Sequence, residues 1–231
     1  HVGAFLVFDT QEKSEVLVKV SSSFINHAQA SINLKREIPE NISFDQLVEE
    51  GKLVWNNELS KIKVASKESE KTNEDLIKFY SSLYRTILFP RQFHEYDLDN
   101  NQIHYSPYDG NIYDGPLYTD NGFWDTFRAV FPFYSLVYPE KLGEIMQGIM
   151  VNPYLESGWL PEWSSPGHRD CMIGSNSASI IAEAYLKGIT DFDIEKAYEG
   201  ILNNSENEGP LSSVGRKGVE FYNDLGYIPY D

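Results

Sequence analysis

The stretch Tyr118–Phe133, "YTDNGFWDTFRAVFPF", decides how the rest of the chain is read. A turn-like Asp120-Asn121-Gly122 leads into Trp124, Asp125 and Arg128, and then into further aromatics. Asp, Asn and Gly in succession favour a turn because they tolerate left-handed backbone and bond locally. A helix starting near Gly122 puts Asp125 and Arg128 three apart on one face. Phe123, Trp124, Phe127, Val130 and Phe131 surround them, so the pattern predicts a partly buried carboxylate held by an arginine. Such a carboxylate accepts hydrogen bonds from sugar hydroxyls well. The plainer alternative is a surface ion pair.

Helical spacing continues downstream at about 122–138, 140–151, 172–188 and 193–203, and the tail reads as one short helix and a turn. Upstream, Ser43 is placed to cap a helix carrying Phe44, Leu47, Val48, Leu53, Trp55 and Leu59. The charged "ASKESEKTNED" reads as a linker. A second helix follows with Leu76, Phe79, Tyr80, Leu83, Ile87 and Leu88 on its apolar side, stopped by Pro90. Residues 91–121, rich in Asp, Asn, Tyr and Gly, read as a long ordered loop, and loops of that length are usually functional. Residues 1 to about 38 read as β, with "GAFLVFD" as an apolar run and Val16, Val18 and Val20 alternating to one face. Two or three strands cannot build a sandwich alone, so they join a sheet elsewhere or pack as a hairpin on the helices.

Composition narrows the chemistry. The 231 residues can bury a sizeable core. Fifteen Tyr, thirteen Phe and four Trp exceed what packing requires, and Tyr and Trp suit the flat faces of sugar rings. With 35 acids against 19 bases the formal charge is −16, which repels phosphate backbones and argues against nucleic acid as a partner. The single cysteine, Cys171, leaves no internal disulfide and no cysteine-rich zinc site. No apolar run is long enough for a membrane span. "HVGAFLVFDT" lacks a basic start, a cleavage site and an initiating Met, and reads as a strand under way, so the chain is expected to begin inside a larger protein.

Metal and nucleophile signatures are missing. Asp97, Asp99 and Asn101 sit at the first, third and fifth positions of a calcium loop. Gln102 stands where that loop needs glycine, and Tyr108 where it needs a bidentate Glu. No HExxH, GxSxG, P-loop or GxGxxG occurs. A second polar cluster lies in "SGWLPEWSSPGHRDCMIGSNS". Here Trp159 and Trp163 beside Glu162 and His168 read as a stacking platform for a pyranose, or else as a proline-rich loop over a helix mouth. Asp125 and Glu162 together form a conceivable acid/base pair for glycoside hydrolysis, with a separation that sequence does not reveal.

The ordered set "YTDNGFWDTFRAVFPF", "GWLPEWSS", "DCMIGSNSASIIAEAYLKGITDFDIEKAYEGI" and "GPLSSVGRKGVEFYNDLGYIPYD" resembles the middle of glycoside hydrolase family 92. Upstream, "SSSFINHAQASINLKREIP" and "VWNNELSKIKV" are similar to the family's passage from β-sandwich into linker helices. The resemblance implies a mainly α chain, part of an (α/α)6 barrel preceded by linker helices and the last strands of an N-terminal β-sandwich. It divides the chain at 1–38 (end of the sandwich), 39–72 (linker helices) and 73–231 (first half of the barrel). It further implies a calcium-dependent exo-α-mannosidase of the kind found in Bacteroides. Such an enzyme releases terminal mannose, mostly α-1,2-linked, from mannans or N-glycans with inversion, in the periplasm or outside the cell. The family's acid lies in a GNEP-like string and its base in a GNDD-like string. Neither occurs in residues 1–231, so the resemblance places acid, base and calcium ligands beyond Asp231. Within this chain it implies that Asp125 contacts the mannose, with Trp124 and Arg128 shaping that wall; Phe131 stands where relatives often have His. The residues alone leave two other readings open: another (α/α)6 hydrolase, trehalase- or glucoamylase-like, with Asp125 catalytic, and a helical carbohydrate-binding module without chemistry.

Overall fold

The computed structural model describes residues 3–9, 11, 15–65 and 70–230. The chain is mainly α-helical. Three helices lead in: α1 (His27–Glu37), α2 (Phe44–Leu59) and α3 (Glu70–Thr86). The expected Ser43 cap is a full capping box. Ser43 Oγ accepts the Gln46 N–H (3.2 Å) and Gln46 Oε1 accepts the Ser43 N–H (2.9 Å). Linker residues 66–69 lie outside the described residues, and α3 opens at Glu70, before the expected boundary at 73.

The β reading of residues 1–38 is corrected. Among the described residues 3–9 and 15–23 form no strand and pair with none, and Phe5 is 88% exposed. Residues 27–37 are helical. Asn26 caps α1 by accepting the Gln29 N–H (2.9 Å). The buried face of α1 is polar, which is why apolar spacing missed it. Gln29 and Asn33, four apart, are both buried; Gln29 donates to the Tyr96 carbonyl (2.7 Å), and Asn33 donates to Glu95 (2.6 Å) and to the Ser22 carbonyl (3.0 Å).

Residues 91–122 are six short strands rather than a loop: β1 (Arg91–Gln92), β2 (Glu95–Tyr96), β3 (Gln102–Tyr105), β4 (Ile112–Asp114), β5 (Tyr118–Thr119) and β6 (Asn121–Gly122). β2, β3 and β4 form an antiparallel meander, and β1 pairs with β5. Strands of two to four residues carry too little alternation to be read from sequence.

The expected helix over 122–138 is two helices, α4 (Phe123–Thr126) and α5 (Val130–Val137). Pro132 explains the break, because a helix running through it would need a bond to the Arg128 carbonyl that proline cannot make. Near the start of α5 the same proline is tolerated. Next, α6 (Pro139–Met146), a π-helical turn (Gln147–Val151) and α7 (Asn152–Ser157) run on without interruption. Pro153 cannot donate to Ile149, and the wider turn just before it absorbs the mismatch. β7 (Trp163–Ser164) pairs with β6, with Gly122 opposite Trp163. Three helices close the chain: α8 (Asn176–Leu186), α9 (Ile194–Glu206) and α10 (Val219–Leu225). Left-handed Met172 (φ 59°) and Gly174 (φ 130°) hold off α8 until Asn176, later than its spacing suggested.

The core lies among α4 to α9. Phe123, Phe131, Leu142, Met146, Ile149, Met150 and Leu160 are fully buried, joined by Ile180 and Ala184 of α8 and Ala197 of α9. A large apolar side chain buried in this way contributes about 1.5–3 kcal/mol. α5 packs on α6 and α8, and α9 on α7 and α8. The π turn also ties neighbours in: Gln147 Oε1 accepts the Asp193 N–H ahead of α9 (2.9 Å), and its Nε2 donates to Asn152 (2.7 Å).

Candidate functional site

The wall that the opening stretch builds begins at Asp120. This residue is left-handed (φ 61°), and its carboxylate accepts from the Arg91 guanidinium and from Ser165 Oγ (2.8 Å). Strand β1 and the segment after β7 thereby fix the turn. Buried Asn121 then accepts the Thr126 hydroxyl (2.7 Å), bracing α4 from within. Phe123 points into the core against Phe131, with ring centroids 6.0 Å apart. Phe131 is fully buried core, on the same inward side. Trp124 and Asp125 face outward, Trp124 42% exposed, and Asp125 has no ion-pair partner among the described residues.

The expected Asp125–Arg128 pairing is therefore not made. Arg128 lies beyond the end of α4, exposed, with its guanidinium 4.9 Å from the Phe127 ring centre. Asp125 is exposed rather than partly buried. The exposed carboxylate of Asp125 therefore lies next to the exposed indole of Trp124 in sequence, with no ion pair closing it among the described residues.

The stretch around 159–168 packs against that wall, and its two tryptophans, expected as a stacking platform, lie against different glycines. Trp163 lies over Gly122 so closely that a Cβ there would come within 2.6 Å of the indole and of Met172 Sδ. Trp159 packs against Gly215. His168 is half-buried, its ring centre 4.8 Å from that of Tyr108 and its Nε2 2.9 Å from Ser157 Oγ. Burial pushes its pKa down to about 4.

Glu162 is 2% exposed and faces the start of α8. It accepts from the Asn176 N–H (2.9 Å), the Ser177 N–H (3.2 Å) and Ser177 Oγ (2.5 Å). Burial raises its pKa, while these donors pull it back. Of the sugar-contact candidates, the structure brings Trp124 and Asp125 together on the open face, sets Arg128 at its edge, and places Glu162 and Trp163 behind it. Trp159 contacts Gly215, and His168 contacts Ser157 and Tyr108. Gly122, Asn121, Thr126 and Met172 were missed as supports, and only the turn signal at 120–122 pointed to any of them.

A buried pair holds the meander to the helices. His104 Nε2 lies 2.8 Å from Glu156 Oε1 of α7, and its Nδ1–H donates to the Gly115 carbonyl (2.9 Å). A carbonyl can only accept, so Nδ1 carries a proton, and a second proton lies between Nε2 and the carboxylate.

The described residues do not fit a calcium ion. Among the described residues no three His, Cys, Asp or Glu side chains cluster to hold a metal. Asp97 instead closes the β2–β3 turn, accepting the Asn101 N–H (2.8 Å) and the Asn101 side-chain amide (3.1 Å). No helix described is long and apolar enough to cross a membrane.

A profile of the glycosyl hydrolase family 92 catalytic domain matches residues 29–231. The structure superposes on that of a family 92 inverting mannosidase from Bacteroides thetaiotaomicron with a TM-score of 0.82 and 48% identity, covering 90% of this chain and 28% of that one. A family 92 alpha-mannosidase from the same organism gives 0.74 and 29%, covering 90% and 26%. An uncharacterized secreted glycosidase of Arthroderma benhamiae is 28% identical over 98% of this chain and 25% of its own length. The chain thus spans about a quarter of the length of these relatives.

Proposed function

Because the chain belongs to glycoside hydrolase family 92, we propose that it forms part of an exo-acting α-mannosidase and supplies the wall that holds the terminal mannose. The observation that carries this reading is the open Asp125 carboxylate beside Trp124, on a turn fixed by Arg91, Ser165 and Asn121. A carboxylate so placed accepts hydrogen bonds from neighbouring sugar hydroxyls, and the indole covers an apolar sugar face. Arg128, at the edge, donates to the same ring or to the next one.

In this reading the linkage is α-1,2, hydrolysis inverts the anomeric centre, and the substrate is a mannose-containing oligosaccharide of a mannan or N-glycan. Inversion needs an acid and a base far enough apart to admit water. Glu162 is not available as that acid, being buried and bonded to α8. Acid and base are therefore assigned to the remainder of the polypeptide, as are an (α/α)6 barrel's other helices. Calcium enters this reading through the family, and none of the described residues is assigned to it. The two bacterial neighbours are mannosidases, which supports the substrate class, and the fungal relative is a secreted glycosidase, which supports action outside the cytoplasm.

The test uses α-1,2-mannobiose with calcium. In the complete enzyme Asp125→Ala is expected to raise KM about tenfold or more, the loss of one charged hydrogen bond. The 231 residues alone are expected to show no turnover. Wild-type kinetics for the variant, or robust turnover by the isolated chain, would each defeat the proposal.

A further inference from the structure

We infer that Glu162 is a positioning residue that sets where Asp125 stands, by joining the first turn of α4 to the first turn of α8. The inference rests on the reading of Asp125 as a sugar contact. Its basis is that Glu162 bonds to the starts of both helices. The backbone carbonyl accepts the N–H of Phe123, the first residue of α4 (3.1 Å). The carboxylate takes four donors from the first two residues of α8: the Asn176 N–H (2.9 Å), Asn176 Nδ2 (3.4 Å), the Ser177 N–H (3.2 Å) and Ser177 Oγ (2.5 Å).

Neither helix caps itself. Gly122 and Ser175, at the two N-cap positions, make no side-chain cap bond. The leading N–H groups of a helix need an outside acceptor, and a negative charge at that end is favoured by the helix dipole. Ser175 is also engaged elsewhere, accepting from Arg216 (2.9 Å). Glu162 therefore does for α8 what the cap residue would otherwise do.

The residues on either side of Glu162 are held as well. The N–H and carbonyl of Leu160 bond to the side chain of Asn204 on α9 (3.0 and 2.9 Å). Trp163 lies on Gly122. With its flanks held, Glu162 has little freedom to follow α4 or α8 separately. Helix α4 has only four residues, and Asp125 lies two residues beyond Phe123. A tilt of so short an element moves the carboxylate by nearly the full displacement of its first turn.

The experiment is a double-mutant cycle in the complete enzyme with α-1,2-mannobiose as substrate. Glu162→Gln keeps the volume but turns one accepting oxygen into an amide NH2 facing N–H donors. Expected is a KM raised about tenfold with kcat changed less, since a shift of about 1 Å in a positioned group can cost up to 100-fold. Combined with Asp125→Ala, it is expected to add little to the loss from Asp125→Ala alone. If Glu162→Gln gives no folded enzyme, Ser177→Ala removes one donor, leaves the carboxylate in place, and is expected to show the same dependence on Asp125. Full additivity in either cycle would overturn the inference. So would a collapse of kcat with loss of one limb of the pH–rate profile, which would mark Glu162 as a proton donor. An Asp125→Ala variant with wild-type KM would instead defeat the sugar-contact reading beneath it.

Discussion

Gly122 and Trp163 face each other across the two-residue ladder of β6 and β7, with the indole resting where a side chain at position 122 would stand. A Cβ there would be 2.6 Å from Trp163 and from Met172 Sδ. Gly122→Ala is therefore expected to force both side chains aside and to destabilise the fold by about 1–3 kcal/mol. Thermal unfolding of the variant beside the parent chain measures this, and an unchanged midpoint would show that the neighbours yield without cost.

The buried His104–Glu156 pair supports a second prediction. Both side chains are almost wholly enclosed, and each ring nitrogen of His104 meets an acceptor. His104→Ala leaves Glu156 in the interior without its partner, which is expected to cost about 3–5 kcal/mol. Urea denaturation reads the loss. A change below about 1 kcal/mol would mean that water reaches the carboxylate as readily as it reaches an exposed one.

Acid should weaken the fold through its histidines. His168 has its pKa pushed down to about 4 by burial, whereas an unfolded chain takes up that proton near 6.5. Between those values the unfolded state binds more protons, so stability is expected to fall as pH drops from about 6.5 toward 4. The slope reaches at most ~1.4 kcal/mol per pH unit for one such group. His94, also lowered chiefly by burial, acts in the same direction. Urea midpoints at pH 7 and pH 5 test the slope, and His168→Asn should flatten it.

Several helix faces present apolar side chains to solvent. Leu186 of α8 is 82% exposed and Leu136 of α5 is 81% exposed, and Phe221, Tyr222 and Leu225 of α10 are also open. Exposed apolar area of this kind drives association. The 231 residues alone are expected to bind a hydrophobic dye and to self-associate with rising concentration. Light scattering that stays monomeric at high concentration would contradict this.

Much of the chain was legible from local signals. The Ser43 cap, helix α9 and the left-handed Asp120 of the 120–122 turn depend on neighbours a few residues apart, and they appear close to where the spacing put them. The family was legible too, because an ordered series of stretches such as "GWLPEWSS" carries more information than any one motif. Helix α1 was misread because Gln29 and Asn33 bury amides, and an apolar pattern is blind to a polar buried face.

What only the tertiary structure decided is where the charges of the site lie. By sequence Asp125 and Arg128 looked like partners on one helix, yet the break before Pro132 separates them and leaves Asp125 open. Glu162 looked like a sugar contact or an acid, yet it serves as the cap that α8 lacks, a role fixed by residues fourteen and fifteen positions away. Helix periods and turns arise from contacts within a few residues, so sequence alone determined them. The environment of a carboxylate arises from whichever elements the fold brings against it, and here that was settled by α4, β7 and α8 coming together.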